Sequence, residues 1–325
     1  MSMPLSRRRI ATVAAFGMAT CAVAAVPSAA IAADRGAAAG GDKEAKPTVV
    51  LVHGAFADAS GWNAVAERLL DAGYKVVAPP NPLRGLSNDA ASVAGVLKSI
   101  NGPIVLAGHS YGGAVITQAA AGNPDVKALV YVSAFMPDVG ESPAELSMKF
   151  AGSELGPALT PVPYADGTGT DLYIRTDKFR SVFAADLPES QTRLMAVTQR
   201  PVAQAGFAEK ATAAAWKSIP SWFVVSKNDK AIAPDLERFE AKRAKSHTVE
   251  IDSSHVSMMS HPDVVTQQIR DAAGATAAEA GEPAALAETG SRTAALAVAS
   301  GSAAAFVAVG TLLTTMARRR TRSGS

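Results

Sequence analysis

From Thr48 onward the chain alternates between two hydrophobic patterns. Short, nearly continuous apolar runs rich in β-branched residues are "TVVLVHG" (48–54), "YKVVAPP" (74–80), "GPIVLAGHS" (102–110) and "VKALVYVSAF" (126–135). Between them lie longer stretches with apolar residues at helical spacing: "WNAVAERLLDAG" (62–73), "NDAASVAGVLKSI" (88–100) and "YGGAVITQAAAG" (111–122). The first of these ends in a Gly placed to cap a helix C-terminus, and the second opens on an Asn or Asp suited to an N-cap. Strands that are apolar on both faces and alternate with helices predict a parallel sheet covered on both sides.

The alternation stops at residue 136. Residues 136–215 are richer in Pro, Gly, Thr and Asp, with helical pieces at 178–185 and 188–198. It then resumes with "SWFVVSKND" (221–229), a helix at 235–244, "HTVEID" (247–252) and a helix at 262–273. An irregular insertion between two halves of one sheet predicts a helical cap over the sheet's C-terminal edge, where open α/β folds bind ligands. The expected architecture is therefore α/β, a mostly parallel, doubly wound sheet over residues 47–274 with a cap at about 136–215. No internal repeat is visible.

Composition changes the picture mainly at the two ends. Hydrophobic residues make up 48% of the chain, enough for a packed core. Residues 1–33 carry Arg7, Arg8 and Arg9 and no acid, and residues 290–325 carry five arginines and no acid. The part between is net acidic and shows no basic patch, so nucleic acid is not an expected partner. The single cysteine, Cys21, leaves that part without a disulfide or a thiol nucleophile. Arg7–Arg9, the apolar stretch Ile10 to Val26 and the small residues of "SAAIAAD" have the order of a secretory signal, with cleavage expected in residues 30–34 and a polar leader at 34–46. "SRRRI" loosely resembles a twin-arginine export motif.

The candidate chemistry starts at "GHSYGG". Gly108-His109-Ser110-Tyr111-Gly112 fits G-x-S-x-G between a strand and a helix, where a tight turn exposes a serine hydroxyl at the sheet edge. A serine needs a base, and the base an orienting acid, in the chain order Ser, acid, His. Of five histidines, His255 lies in a loop after the last strand and is the expected base; His261 precedes a helix at the surface and His247 begins a strand. Asp229, after the strand "WFVVSKND", is the expected acid, with Asp138 in reserve and Asp252 three residues before His255. One oxyanion donor is the Tyr111 N–H; the other comes from "HGAFADASGW", favouring Ala55 over its neighbour Phe56. No two histidines sit at ligand spacing on one helix, and no phosphate-binding Gly loop follows the first strand, so neither metal nor cofactor is expected.

"VVLVHGAFADASGW", "GHSYGGAVI", "VYVSAFMPD" and "DSSHVSMMSHPDVV" resemble the α/β-hydrolase superfamily over about residues 47–273, with 140–215 matching loosely. Within it they are most similar to the branch of plant salicylate-type methylesterases, hydroxynitrile lyases and their bacterial relatives. The resemblance implies the triad Ser110, Asp229 and His255 with Ala55 and Tyr111 as oxyanion donors. Lyases of this kind usually carry Thr where Gly54 stands and Lys where Val256 stands, so the resemblance favours ester hydrolysis over cyanohydrin cleavage. Ser110 excludes the Asp nucleophile of haloalkane dehalogenases. The rival readings are a cofactor-free perhydrolase using the same triad and a non-catalytic surface binding scaffold.

After a small-residue spacer (275–285) comes Leu286-Ala287-Glu288-Thr289-Gly290, an apolar segment from Thr293 to Ala317, and "RRRTR". The segment exceeds the ~20 residues needed to span a bilayer, and the arginines favour a cytoplasmic C-terminus. Pentapeptide, span and basic tail over 286–325 resemble a Gram-positive sorting signal of the LAxTG variety. The resemblance implies cleavage between Thr289 and Gly290 by a sortase, transfer to a cell-wall peptide, and a transient membrane hold through the C-terminal span. The expected location is the cell wall of an exporting cell, with a membrane-anchored extracellular form as the alternative.

Overall fold

The computed structural model describes residues 46–281. Its frame is a six-stranded sheet whose every adjacent pair is parallel, in the order β2-β1-β3-β4-β8-β9. The strands are β1 (Thr48–Val52), β2 (Val76–Val77), β3 (Ile104–His109), β4 (Val126–Val132), β8 (Ser221–Ser226) and β9 (His247–Ile251). β1, β3 and β8 are buried at every position, as apolar runs covered on both faces must be. The edge strands β2 and β9 are partly open to solvent. Among the helices, α1 (Asn63–Asp71) packs on α11 (Pro262–Gly281), and α2 (Leu86–Lys98) packs on α3 (Tyr111–Ala119). α9 (Pro234–Arg243) follows β8 and packs back against it.

Because the strands are parallel, all their C-terminal ends meet at one edge. Val52 is in register with Gly108, His109 with Val132, Val132 with Val224 and Ser226 with Ile251. The segments after β1, β3, β8 and β9 therefore emerge side by side.

The insertion lies between β4 and β8 and differs from the all-helical expectation. It holds α4 (Pro143–Ser147), α5 (Leu155–Ala158), α6 (Thr176–Phe183), α7 (Glu189–Thr198) and α8 (Gln204–Ala208), and also a three-stranded antiparallel sheet. That sheet is β5 (Leu159–Pro163), β6 (Thr170–Ile174) and β7 (Val202–Ala203), with Leu159 opposite Ile174 and Leu172 opposite Val202. β5 has mostly exposed side chains and two prolines, which only an edge strand tolerates; its composition reads as a loop. α4 is closed by a capping box, Ser142 and Glu145 bonding each other's backbone N–H at 3.2 Å.

Two boundaries also move. α2 starts at Leu86, ahead of the anticipated Asn88 or Asp89 cap, because Asp89 is fully buried and spends its carboxylate on the Arg84 N–H at 2.9 Å and the Tyr111 hydroxyl at 2.9 Å. α11 continues to Gly281 through the alanine-rich start of the segment read as a spacer, as high helix propensity allows. The expected signal peptide, the LAETG motif with Thr289 and Gly290, and the C-terminal apolar segment lie outside the described residues. Among the described residues, no helix is long and apolar enough to cross a membrane.

Candidate active site

Ser110 sits at the turn from β3 into α3 with φ 54° and ψ −126°, a strained backbone for a residue with a side chain. The strain holds because strand and helix approach so closely: a Cβ on Gly108 would lie 2.6 Å from the Gly112 oxygen, and one on Gly112 would lie 2.6 Å from the Val52 oxygen. The Ser110 carbonyl accepts the Gly113 N–H at 2.9 Å and the Phe135 N–H at 3.2 Å, fixing the turn from both sides.

The structure brings Ser110, His255 and Asp229 into one line. Ser110 Oγ lies 2.8 Å from His255 Nε2, and His255 Nδ1 lies 2.6 Å from Asp229 Oδ2. The second Asp229 oxygen accepts the Ala231 N–H at 2.7 Å and the Ile232 N–H at 2.9 Å. All three residues are buried. The alternatives are occupied elsewhere. Asp138 pairs with Lys217 at 2.5 Å, and Asp252 reaches out to Lys227 at 2.8 Å. His247 stacks on Trp222, and His261 bonds the Ser260 hydroxyl at 3.0 Å.

The loop after β1 lies against this turn, close enough that a Cβ on Gly54 would stand 2.7 Å from Ser110 Cβ. Phe56 has φ 61°, which bends the chain there. Among the described residues, the N–H groups of Ala55, Phe56 and Tyr111 donate to no protein acceptor. They are free to bind an anionic oxygen, and the start of α3 adds the positive end of its dipole.

The model of the alpha/beta hydrolase family matches residues 49–268, which spans the sheet, the insertion and all three aligned side chains. The chain belongs to the alpha/beta hydrolase family. Methylesterase 2 of Arabidopsis thaliana is 24% identical over 258 residues, 70% of this chain and 96% of its own. Alpha-hydroxynitrile lyase of the same plant is 28% identical over 247 residues, 67% of this chain and 94% of its own. The crystal structure of a pyrethroid hydrolase from Sphingobium faniae shares the fold with a TM-score of 0.59 at 23% identity, covering 71% of this chain and 99% of that one.

The surroundings of this α/β hydrolase site include residues that motif reading passed over. His53 is buried and accepts the Asn81 N–H on Nε2 at 2.9 Å, so its Nδ1–H donates to the Gly54 carbonyl at 2.9 Å. Asn81 returns a bond to the His53 carbonyl at 3.0 Å, which pins the loop carrying Ala55. Burial lowers the proton affinity of the His53 ring and keeps it neutral. His109 is fully buried 4.7 Å from the His255 ring and bonds the His255 carbonyl through Nε2 at 3.0 Å. Desolvation, then the neighbouring His255, hold its pKa well below the usual imidazole range, so it adds no second positive charge beside the base.

Asp186 reaches from the insertion to the loop that carries His255. Its carboxylate accepts the Ser254 N–H at 3.0 Å, the Ser253 hydroxyl at 3.1 Å and the Ser254 hydroxyl. No local signal marks it: it lies 68 residues from its main partner, in the segment of least regular pattern. Aromatic rings line the substrate side. Phe183 lies 4.9 Å from the His255 ring, and Phe207 contacts Phe56, Tyr111 and Phe135. Beside Phe207 the insertion forms a cavity of about 290 Å³, open to solvent, bordered by Met148, Leu155, Leu159 and Leu172.

Proposed function

We propose that this carboxylic ester hydrolase cleaves small esters through a serine acyl-enzyme. The observation that carries the reading is the buried line Ser110–His255–Asp229, at 2.8 and 2.6 Å. His255 takes the Ser110 proton as the hydroxyl attacks the ester carbonyl. Asp229 holds the ring and stabilises the imidazolium. The carbonyl oxygen, now anionic, rests on the N–H groups of Ala55 and Tyr111. His255 returns its proton to the departing alcohol, then activates a water that releases the acid. The aromatic wall beside His255 suits a small, partly apolar substrate.

Cyanohydrin cleavage is disfavoured by two residues. Val256 follows His255, is fully buried and offers no cation for cyanide. Gly54 stands where the resemblance puts Thr in the lyases, and the backbone there leaves no room for a Cβ. The activity test is Ser110→Ala, which should lower p-nitrophenyl acetate turnover by roughly three orders of magnitude or more. A fluorophosphonate probe should label wild type at Ser110 and not the variant. Unchanged turnover by Ser110→Ala would remove the assignment.

The proposed setting is the cell wall, after export and sorting at Thr289. It rests on the order of signal, LAETG motif, apolar segment and arginines in the sequence. Muramidase-released wall material should contain a peptide ending at Thr289 joined to wall peptide. Only intact peptides running past Gly290, found in membranes, would refute it.

A further inference from the structure

α9 places two glutamates, Glu237 and Glu240, in the interior behind the site, and neither is exposed at all. Glu240 lies nearer a cation: its Oε1 accepts the Met136 N–H at 2.8 Å and lies 3.5 Å from Arg243, although no donor reaches its Oε2. Glu237 has no cation within salt-bridge reach among the described residues. Its Oε2 accepts the Ser226 N–H at 3.0 Å, and no donor reaches its Oε1. Its remaining polar neighbour is another carboxyl group, Asp229.

Two carboxylates facing each other in a dry interior cannot both ionise, so one carries a proton. Asp229 accepts from His255 and from two backbone N–H groups, which fit a carboxylate. Glu237 accepts one N–H on one oxygen and leaves the other without a donor, which fits a carboxylic acid whose O–H donates.

We propose that Glu237 is a positioning residue of the active site, a neutral carboxylic acid that donates its proton in a hydrogen bond to Asp229 and couples the acid of the triad to β8. The inference rests on the reading of Asp229 as the acid that orients His255. Burial and the Asp229 charge push the Glu237 carboxyl well above the ordinary carboxylate range, in keeping with its being neutral. Through the Ser226 N–H the same side chain grips the last residue of β8. Ser226 in turn accepts the Asp229 N–H on its carbonyl at 3.1 Å. Glu237 thus holds Asp229 at its carboxylate and the chain three residues before it. The donated bond also withdraws charge from Asp229 and tempers its pull on the His255 ring. The titratable groups around Glu237 are Asp229 from the turn after β8, Glu240 on its own helix and, across Asp229, His255.

The test compares Glu237→Ala and Glu237→Gln in p-nitrophenyl acetate hydrolysis from pH 5 to 10, with turnover expressed per site titrated by fluorophosphonate. Glu237→Ala removes the donor: kcat should fall about tenfold with KM little changed, and the acidic limb of kcat/KM should move up by roughly one pH unit. Glu237→Gln presents an N–H to Asp229 and an oxygen to Ser226, and should restore the limb and most of the kcat. A folded Glu237→Gln as impaired as Glu237→Ala would overturn the proposal, since a carboxylate would then be what the site requires. Wild-type kcat and limb in Glu237→Ala would overturn it too. If Glu237→Ala does not fold, Glu237→Gln decides alone: tenfold loss per titrated site refutes, and near-native kcat with greater thermal stability above pH 7 supports. Loss of the serine assignment shows separately, as absent labelling and an unaffected Ser110→Ala.

Discussion

Asp186→Ala tests whether the insertion holds the catalytic loop in place or only covers it. In the folded protein the Asp186 carboxylate accepts the Ser254 N–H and the hydroxyls of Ser253 and Ser254. Ser253 keeps other partners after the change, the Ser260 hydroxyl at 2.9 Å and the Ser254 carbonyl. Ser254 is 3% exposed and loses the acceptor for both its N–H and its hydroxyl. Buried groups left unpaired cost about 1–3 kcal/mol. Asp186 itself is in contact with solvent, so screening reduces this to about 1–2 kcal/mol. For a domain of this size that is a fall of about 3–6 °C in Tm. Because His255 is the next residue, kcat/KM on p-nitrophenyl acetate should drop roughly tenfold. The pH dependence gives a second readout. Burial alone would raise the Asp186 pKa, but hydrogen bonds from Ser254, Ser260 and Ser253 outweigh it and hold it below the usual range. A depressed carboxyl contributes stability above its unfolded pKa of about 3.9 and loses it as pH falls through the folded value. The Tm gap between wild type and Asp186→Ala should be full near neutrality and narrow below about pH 4. Thermal scans of both proteins from pH 3 to 8, with kinetics at neutral pH, measure this. Equal Tm and equal kcat/KM would refute the coupling of insertion and loop, and a gap unchanged at low pH would refute its electrostatic part.

Three further outcomes are expected. Gly54→Ala puts a methyl group 2.7 Å from Ser110 Cβ and 2.8 Å from the His109 oxygen, so stability should fall by about 1–3 kcal/mol and fluorophosphonate labelling should slow; labelling at the native rate would contradict the close approach. Glu240, pushed up to about 8 by burial, stays protonated in the folded chain while the unfolded chain ionises, so its contribution is lost as pH rises from about 4.3 toward 8. Glu240→Gln should therefore gain Tm relative to wild type over that window and level off above it; a constant difference across the window would show that Glu240 does not titrate there. Phe207→Ala should join the 290 Å³ cavity to the space beside Ser110, raising kcat/KM for p-nitrophenyl hexanoate relative to acetate; an unchanged ratio would place the acyl group elsewhere.

What the sequence determined by itself is whatever local pattern controls. Continuous apolar runs made β1, β3, β4 and β8 recognisable, because strands covered on both faces cannot alternate. Gly108 and Gly112 marked the turn at Ser110 as a local motif; Gly108 is required by backbone four residues on, and Gly112 by the neighbouring strand at Val52. His255 stood out as the one histidine in a loop after the last strand. Tertiary structure decided what depends on partners far along the chain. Asp229, Asp138 and Asp252 all follow strands; position favoured Asp229, and the partners differ: His255 takes the first, Lys217 and Lys227 the others. Asp89 looked like a helix cap until the burial of Tyr111 beside it gave its carboxylate another partner. The β5–β6–β7 sheet escaped notice because an exposed edge strand with prolines carries no hydrophobic period. Asp186 and Glu237 left no trace in pattern, since what each does is fixed by a carboxylate meeting a loop or another carboxyl group across the fold. Periodicity reports which face of an element is buried; only the packed chain determines which polar groups meet there.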